Sequence, residues 1–277
     1  MTAQDKKLLK KFTVASPARS KLALYDTKDN TVFESDEKDE ARDALKSDAD
    51  KLRDLQRILW AQGKHAILIV LQGMDTSGKD GTIRHVMGPL NPQGVYVNSF
   101  KKPTELEMQH DYLWRVHKVV PPKGYIGVFN RSHYEDILVP FVKGSVSPEQ
   151  LQERYEQIND FEKYLSRNGV TLLKFFLHIS KAEQKERLLA RLEQPHKNWK
   201  FNPGDLVARK QWTLYQKAYE SILARCSKQW ARWFVVPADR KWYRNFVVGR
   251  ILRLTLERLD LAYPPPVPGL EDIVIED

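Results

Sequence analysis

Ala66-Ile67-Leu68-Ile69-Val70-Leu71-Gln72-Gly73-Met74-Asp75-Thr76-Ser77-Gly78-Lys79-Asp80-Gly81 is the stretch on which the fold turns. Its first six residues are a short β-rich apolar run and read as a buried strand. Residues 73–79 then carry the spacing G-x-x-x-x-G-K. Gly73 and Gly78 let the backbone turn tightly and point N–H groups at phosphate oxygens, with Ser77 inside the loop. The start of the following helix adds partial positive charge, and Lys79 adds a mobile full one. Chance alone places these three residues at this spacing on the order of one time in ten in a chain of this length. What lifts the motif above chance is its place between a strand and a helix, where a phosphate cradle has to sit.

Outward from this loop, β-rich runs at 66–71, 95–100, 125–129, 170–179 and 233–236 alternate with helix-length segments, the pattern of a parallel sheet covered on both faces. Thr104-x-x-Glu107, Ser147-Pro148-x-Gln150 and Ser180-x-x-Glu183 mark helix starts, and Asn168-Gly169 reads as a C-terminal stop. Before the first strand, Leu45, Leu52, Leu55, Ile58 and Leu59 recur at helical spacing, so 39–62 is predicted to be an amphipathic helix packed on the main sheet. Upstream, 1–15 carries Lys6, Lys7, Lys10 and Lys11 and is expected to be a mobile arm or a surface element rather than core. An acidic stretch, 34–43, leads into the helix. The chain divides into an arm and the start of a helical extension (1–50), a main domain (51–263) and, after Pro264, Pro265 and Pro266, a short irregular acidic tail (264–277). No internal repeat is visible.

Composition narrows the class. The chain has 277 residues, of which 42% are hydrophobic and 10% aromatic, with a mean hydropathy of −0.55. This describes a globular protein rather than a membrane or low-complexity one, with enough chain to bury a core without disulfides. The run 66–71 is far short of the ~20 apolar residues of a membrane span, and the Lys-rich start has no signal-peptide core, so a cytoplasmic location and no membrane partner are expected. Cys226 is the only cysteine, which excludes a disulfide framework and a cysteine zinc site; the seven histidines show no metal spacing. The 45 Lys and Arg against 36 Asp and Glu leave a net charge of +9. That excess suits an anionic partner (nucleic acid, nucleotide or phosphate polymer) and equally suits plain solubility.

Two loop positions depart from the ordinary phosphate loop. Position 80 holds Asp where Ser or Thr would ligate Mg²⁺, and Asp75 places a carboxylate where phosphate binds. A metal between them resolves the conflict, which makes Asp75 the first candidate Mg²⁺ ligand. The competing reading is a helix cap, above all for Asp80.

Ligands of open α/β sheets bind at the C-terminal edge of the strands, and there the third run delivers Asn130-Arg131-Ser132-His133-Tyr134-Glu135-Asp136. Together with the loop G-M-D-x-x-G-K-D-G and the later Asn198-Trp199-Lys200-Phe201, this resembles the polyphosphate kinase 2 family, in the subgroup that accepts both nucleoside mono- and diphosphates. The similarity runs over roughly residues 51–263 with the motifs in the family's order and spacing. The resemblance implies an α/β P-loop kinase fold similar to thymidylate kinase: a parallel sheet of about five strands flanked by helices, with a helical lid over a basic channel. It implies Mg²⁺-dependent, reversible transfer of the terminal phosphoryl group of inorganic polyphosphate to AMP and ADP, forming ADP and ATP, by a homodimer or homotetramer. Asp75 and Lys79 resemble the family's essential loop acid and lysine, and Arg131 its strand-end arginine. Asn130, His133, Glu135 and Asp136 are the expected nucleotide contacts. Many relatives carry Asp at the position of Asn130, and an amide cannot neutralise Mg²⁺ as a carboxylate does. The second metal position is therefore open to Asn130, Glu135 or Asp136.

The lid is expected at 185–215. Arg187 and Arg191 are four apart and share a helix face, and Lys197 and Lys200 follow in a Pro-bounded loop. Such a face closes guanidinium groups over a transferring phosphoryl; the competing reading is a solvated face on which Glu183, Glu186 and Glu193 form ion pairs. Gly73, Ser77, Gly78, Lys79 and Asp80 with Arg84, Lys101, Lys102 and Lys200 make up the expected phosphate path, with Lys64 more distant. His110, Asp111, Trp114 and Arg115 form a mixed patch suited to a base or ribose, or to burial against the lid. Two rival activities stand beside this one: an ATP-dependent nucleoside monophosphate kinase of the thymidylate type, and a non-catalytic polyanion or RNA-binding module. RNA-recognition cues are not evident, so nucleic acid is not expected.

Overall fold

Strands β1 (Ala66–Gln72), β2 (Val95–Ser99), β3 (Ile126–Asn130), β4 (Val170–His178) and β5 (Trp233–Pro237) pair in parallel in the order β2-β3-β1-β4-β5. Each lies within one residue of its expected limits. The computed structural model describes residues 1–34 and 36–275; Ser35 in the acidic stretch, and Glu276 and Asp277 at the end of the tail, lie outside the described residues. β1 is buried along its whole length, as a central strand covered on both faces must be. Leu71 pairs with Asn130 and Gln72 with Phe176, so the loops that leave β1, β3 and β4 emerge side by side.

The helices are α1 (Ala3–Phe12), α2 (Lys38–Gln62), α3 (Lys79–Thr82), α4 (Glu105–Met108), α5 (Trp114–His117), α6 (Glu135–Lys143), α7 (Pro148–Arg167), α8 (Lys181–Glu193), α9 (Pro195–Asn198), α10 (Pro203–Lys210), α11 (Trp212–Cys226) and α12 (Lys241–Leu256). A five-residue π segment, Ile83–Met87, continues α3. Among the described residues no helix is long and apolar enough to cross a membrane. The capping boxes at Thr104 and Ser147 are complete. At Ser180 only one half forms: its hydroxyl accepts from Glu183 N–H at 3.0 Å, but the Glu183 carboxylate turns to Arg187 Nε at 2.8 Å.

One expectation is refined and one corrected. The α2 stripe packs chiefly along α12, and its Leu52 and Leu59 join the core cluster that holds the sheet strands. The reason is α12 itself, whose Tyr243, Phe246, Val247, Val248, Ile251, Leu252, Leu254 and Leu256 are all buried, so that it needs cover on both sides. Gly249 permits the approach, since a Cβ there would lie 2.6 Å from Leu45 Cδ1. The N-terminal segment is not an arm outside the core: Leu8, Phe12 and Val14 are fully buried, and Val14 N–H donates to Trp233 O at 2.9 Å on the edge of β5. Leu8 and Phe12 are four apart, so they share one helix face while Lys6, Lys7 and Lys10 face water. Asp5 and Asp48 pair with Arg250 at 3.0 and 2.6 Å, joining α1 and α2 to α12. Residues 264–275 are exposed, with one 3-10 turn at Leu270–Asp272. Cys226 is buried, and burial pushes its thiol up to about 12.

Candidate active site

Two glycines of the loop are required by geometry. Gly73 has φ +151°, and a Cβ there would lie 2.7 Å from the Leu177 carbonyl oxygen; Gly78 has φ +103°, and its Cβ would meet Arg244 Nη1 at 1.8 Å. Five consecutive loop carbonyls are held by side chains. Lys79 Nζ donates to Gly73 O at 2.8 Å and Met74 O at 3.4 Å, and Gln184 Nε2 to Asp75 O at 3.1 Å. Arg187 Nη1 donates to Thr76 O at 2.9 Å and Ser77 O at 3.3 Å, and Arg244 Nη1 to Ser77 O at 3.1 Å. With the carbonyls tied back, the N–H groups of Asp75, Thr76 and Gly78 have no protein partner among the described residues, nor do the buried hydroxyls of Thr76 and Ser77. These are the donors that phosphate oxygens take.

Arg131 closes the site from β3. Its φ of +62° is unusual for a residue with a side chain and holds roughly 1–3 kcal/mol of strain. Its Nη2 donates to Asp75 Oδ1 at 2.8 Å, and its Nη1 lies 4.0 Å from Glu135 Oε2. Burial works against the Arg131 charge, but Glu135 and Asp75 outweigh it and raise its pKa. Burial pulls Lys79 below the ordinary lysine range, with the Asp75 charge opposing. Burial likewise raises Glu135, against Arg131 and Lys79. Asn130 Nδ2 donates to Asp80 Oδ1 at 2.7 Å, in the first turn of α3.

The loop opens into a cleft of about 730 Å³ whose lining holds eleven Lys and Arg side chains against three Asp. Of the residues singled out by sequence, Asp75, Gly78, Lys79, Asp80, Arg84, Lys101, Lys102, Asn130, Arg131, Arg187, Arg191 and Lys200 line it. Its far wall is built from α8, α9 and α10, the expected lid. Arg191 Nη1 braces this wall through Lys200 O at 3.0 Å and Asp205 Oδ2 at 2.8 Å. Arg187 does not reach freely over the cleft. Its Nε bonds Glu183 and its Nη1 the loop carbonyls, while its Nη2 donates to Ala238 O and Asp239 O at 2.7 and 2.9 Å, which makes it a clasp between loop and β5.

Three further basic side chains of the lining are not singled out by sequence: His85, Lys241 and Arg244. The Arg244 guanidinium is buried, bonds Asn245 Oδ1 and Ser77 O, and has no acidic partner among the described residues. Burial and the neighbouring Arg187 charge lower its pKa. A buried cation without a counter-charge is stabilised by an anion in the cleft. Its only sequence signal was its place among five arginines between 240 and 258.

Other expected site residues lie elsewhere. His133 is fully buried, its Nε2 3.2 Å from Glu162 Oε1; Lys174 Nζ reaches Glu162 Oε2 at 2.5 Å, Tyr134 Oη at 2.9 Å and Cys226 O at 2.7 Å. This network lies beneath the strand-end loop and away from the cleft. Asp136 turns to Arg115 at 3.6 Å, and Glu135 stands beside Arg131 without lining the cleft. Arg115 Nη1 holds Lys101 O at 3.0 Å, which places it behind the channel lysines. His110 stacks on Trp114 at 3.9 Å beside a separate hollow. Lys64 precedes β1 and so sits at the opposite edge of the sheet from the cleft. Gly73 and Ser77 form the back of the loop.

Asp75 and Asp80 are the cleft carboxylates on the loop side; the third, Asp205, is held by Arg191 at 2.8 Å on the far wall. Among the described residues no group of three or more His, Cys, Asp or Glu is gathered as a metal cage. Two carboxylates with phosphate oxygens and water completing the shell suit Mg²⁺, which favours that mixture. The amide oxygen of Asn130, whose nitrogen already bonds Asp80, is a weaker third donor; Asp136 is turned to Arg115 and does not join them.

The family model for polyphosphate kinase 2 matches residues 35–263. The AMP/ADP-polyphosphate phosphotransferase of Meiothermus ruber is 50% identical over 268 residues, covering 97% of this chain and 100% of that protein. The ADP-polyphosphate phosphotransferase of Rhodopseudomonas palustris is 40% identical over 272 residues, covering 94% and 93%. The crystal structure of polyphosphate kinase 2 from Arthrobacter aurescens TC1 superposes with a TM-score of 0.88 at 39% identity, covering 94% of this chain and 95% of that one.

Proposed function

Because the chain belongs to the polyphosphate kinase 2 family, we propose that it transfers the terminal phosphoryl group of inorganic polyphosphate to AMP and to ADP, forming ADP and ATP, and runs in reverse. One observation carries the reading: a phosphate loop that opens into a cleft with eleven positive side chains against three negative ones, far more than one nucleotide's phosphates require.

In the reaction a terminal phosphate oxygen of the nucleotide forms a bond to the end phosphorus of polyphosphate. The bridging P–O bond breaks, and the shortened chain leaves as an anion. No covalent enzyme intermediate is needed, so positioning and charge supply the rate. Lys79, the free loop amides and the Thr76 hydroxyl cradle the phosphoryl group. Arg131 stands opposite the loop to meet charge on the acceptor side, and Arg244 with Arg84, Lys101 and Lys102 holds the chain. Asp75 and Asp80 would hold Mg²⁺, which would supply charge neutralisation to the phosphates. The reading extends to a cytoplasmic homodimer or homotetramer, which sedimentation of the purified protein tests.

The decisive experiment follows nucleotides by chromatography after AMP is mixed with excess polyphosphate and Mg²⁺. ADP is expected first and ATP later, with neither formed when polyphosphate is left out. ATP from ADP but no ADP from AMP would reject the dual acceptor, and transfer from ATP alone would reject polyphosphate as donor.

A further inference from the structure

Asp239, just after β5, joins three parts of the molecule. Its Oδ1 accepts from Ser180 N–H at 2.8 Å, at the start of α8, and its Oδ2 accepts from the Thr27 hydroxyl at 2.9 Å. Its N–H donates to Thr27 O at 3.1 Å, and its carbonyl accepts from Arg187 Nη2 at 2.9 Å. Beyond it, α8 grips the phosphate loop twice, through Gln184 on Asp75 O and Arg187 on Thr76 O and Ser77 O. Where α8 begins therefore decides how three loop carbonyls are tied back.

Thr27 lies in a strap, residues 13–33, outside the stretch 35–263 that the family model matches. The strap is fastened on both sides of Thr27. Before it, Glu220 of α11 accepts from Leu22 N–H at 2.9 Å, and Leu22 and Tyr25 are buried. After it, Phe33 packs edge-on against Phe246 of α12 at 4.8 Å between ring centres. Thr27 is thus held in place independently of α8 and offers Asp239 both a donor and an acceptor.

We propose that the strap is a positioning element of the active site: Thr27, acting through Asp239, sets the start of α8 and with it the presentation of the loop to phosphate. Neither residue touches substrate. The proposal takes the loop to be the phosphoryl-transfer site, as above. A misplacement of order 1 Å in such a site costs up to ~100-fold in rate, and loosening one anchor of several is expected to cost a fraction of that.

The test is the pair Thr27→Val, which removes the hydroxyl at nearly constant volume, and Thr27→Ser, which keeps it. Thr27→Val is expected to lower kcat about five-fold while KM for ADP and for tripolyphosphate stays within about two-fold. Its amide hydrogen exchange should quicken over 75–78 and the first turn of α8, with the melting temperature held to within about 2 °C. Thr27→Ser should match the unsubstituted protein on every count. Unchanged kcat and unchanged exchange in Thr27→Val would overturn the proposal, and so would a loss that Thr27→Ser shares or one that tracks general unfolding. Exchange is read without turnover, so a protein that formed no ATP from polyphosphate would reject the reaction while the strap was still decided.

Discussion

Lys79 and Asp75 face the same phosphate region from within one loop, and each predicts its own loss. Replacing Lys79 with Ala, or Asp75 with Asn, is expected to lower kcat at least ~100-fold, the scale of removing one preorganised charge, with circular dichroism unchanged. Near-normal turnover of Asp75→Asn at saturating Mg²⁺ would make Asp75 a turn residue only. Burial also sets a pH limit. Because Lys79 is held below the ordinary lysine value, it loses its charge earlier as pH rises, so kcat/KM should fall on the alkaline side before an exposed lysine would titrate. The limb of kcat should lie higher, since bound polyanion favours the charged form; profiles in which both limbs coincide would remove Lys79 from phosphate binding. These residues were legible because spacing and chemistry lie within a few positions. Arg244 was not, because its contact with Gly78 is made only when α12 folds back on the loop. Where His133 and Asp136 point is hidden from the sequence for a related reason. The left-handed turn at Arg131 ends the alternation of β3, so which of the following side chains faces the cleft cannot be counted along the chain.

The strands were readable as apolar runs between turn signals, whereas the partners of the helices were not. A stripe such as that of α2 states how wide a buried face is and not what covers it, and the α1 face was masked by its lysines. Among the elements, α7, β4 and the strand-end loop meet at Glu162, Lys174 and His133, all with no exposure. Burial alone would raise the Glu162 pKa, but Lys174 and His133 hold it below the usual range. A depressed carboxyl contributes stability that is present above its unfolded value of about 4.3 and is lost as pH falls through the folded value. Glu162→Leu should therefore destabilise by ~3–5 kcal/mol in urea unfolding, because it strands the Lys174 charge. Adding Lys174→Met should recover most of that loss and flatten the acid limb of stability. Additive losses would show that the two side chains act separately.

At the scale of the whole molecule the charge is not spread evenly: the net is +9, while one cleft holds eleven cations against three acids. A long polyanion meets most of them at once and a nucleotide only a few. Raising salt from 50 to 300 mM, values set on the order of the change in screening length from ~14 to ~6 Å, should raise KM for long-chain polyphosphate about ten-fold and KM for ADP no more than about two-fold. Arg244→Met should flatten the polyphosphate dependence. Equal dependence for both substrates would place the polymer elsewhere on the surface. The burial of Cys226 has a practical sequel. With its thiol sealed in the interior and pushed up to about 12, the unaltered chain is expected to stay silent toward maleimide labels, which a labelling blank checks. Cysteines placed at Trp199, between the lining residues Lys197 and Lys200, and at Met108, the end of α4, which are 79% and 66% exposed, would carry a spin-label or fluorophore pair on an otherwise native background, so movement of the end of α9 against α4 can be followed while the enzyme turns over.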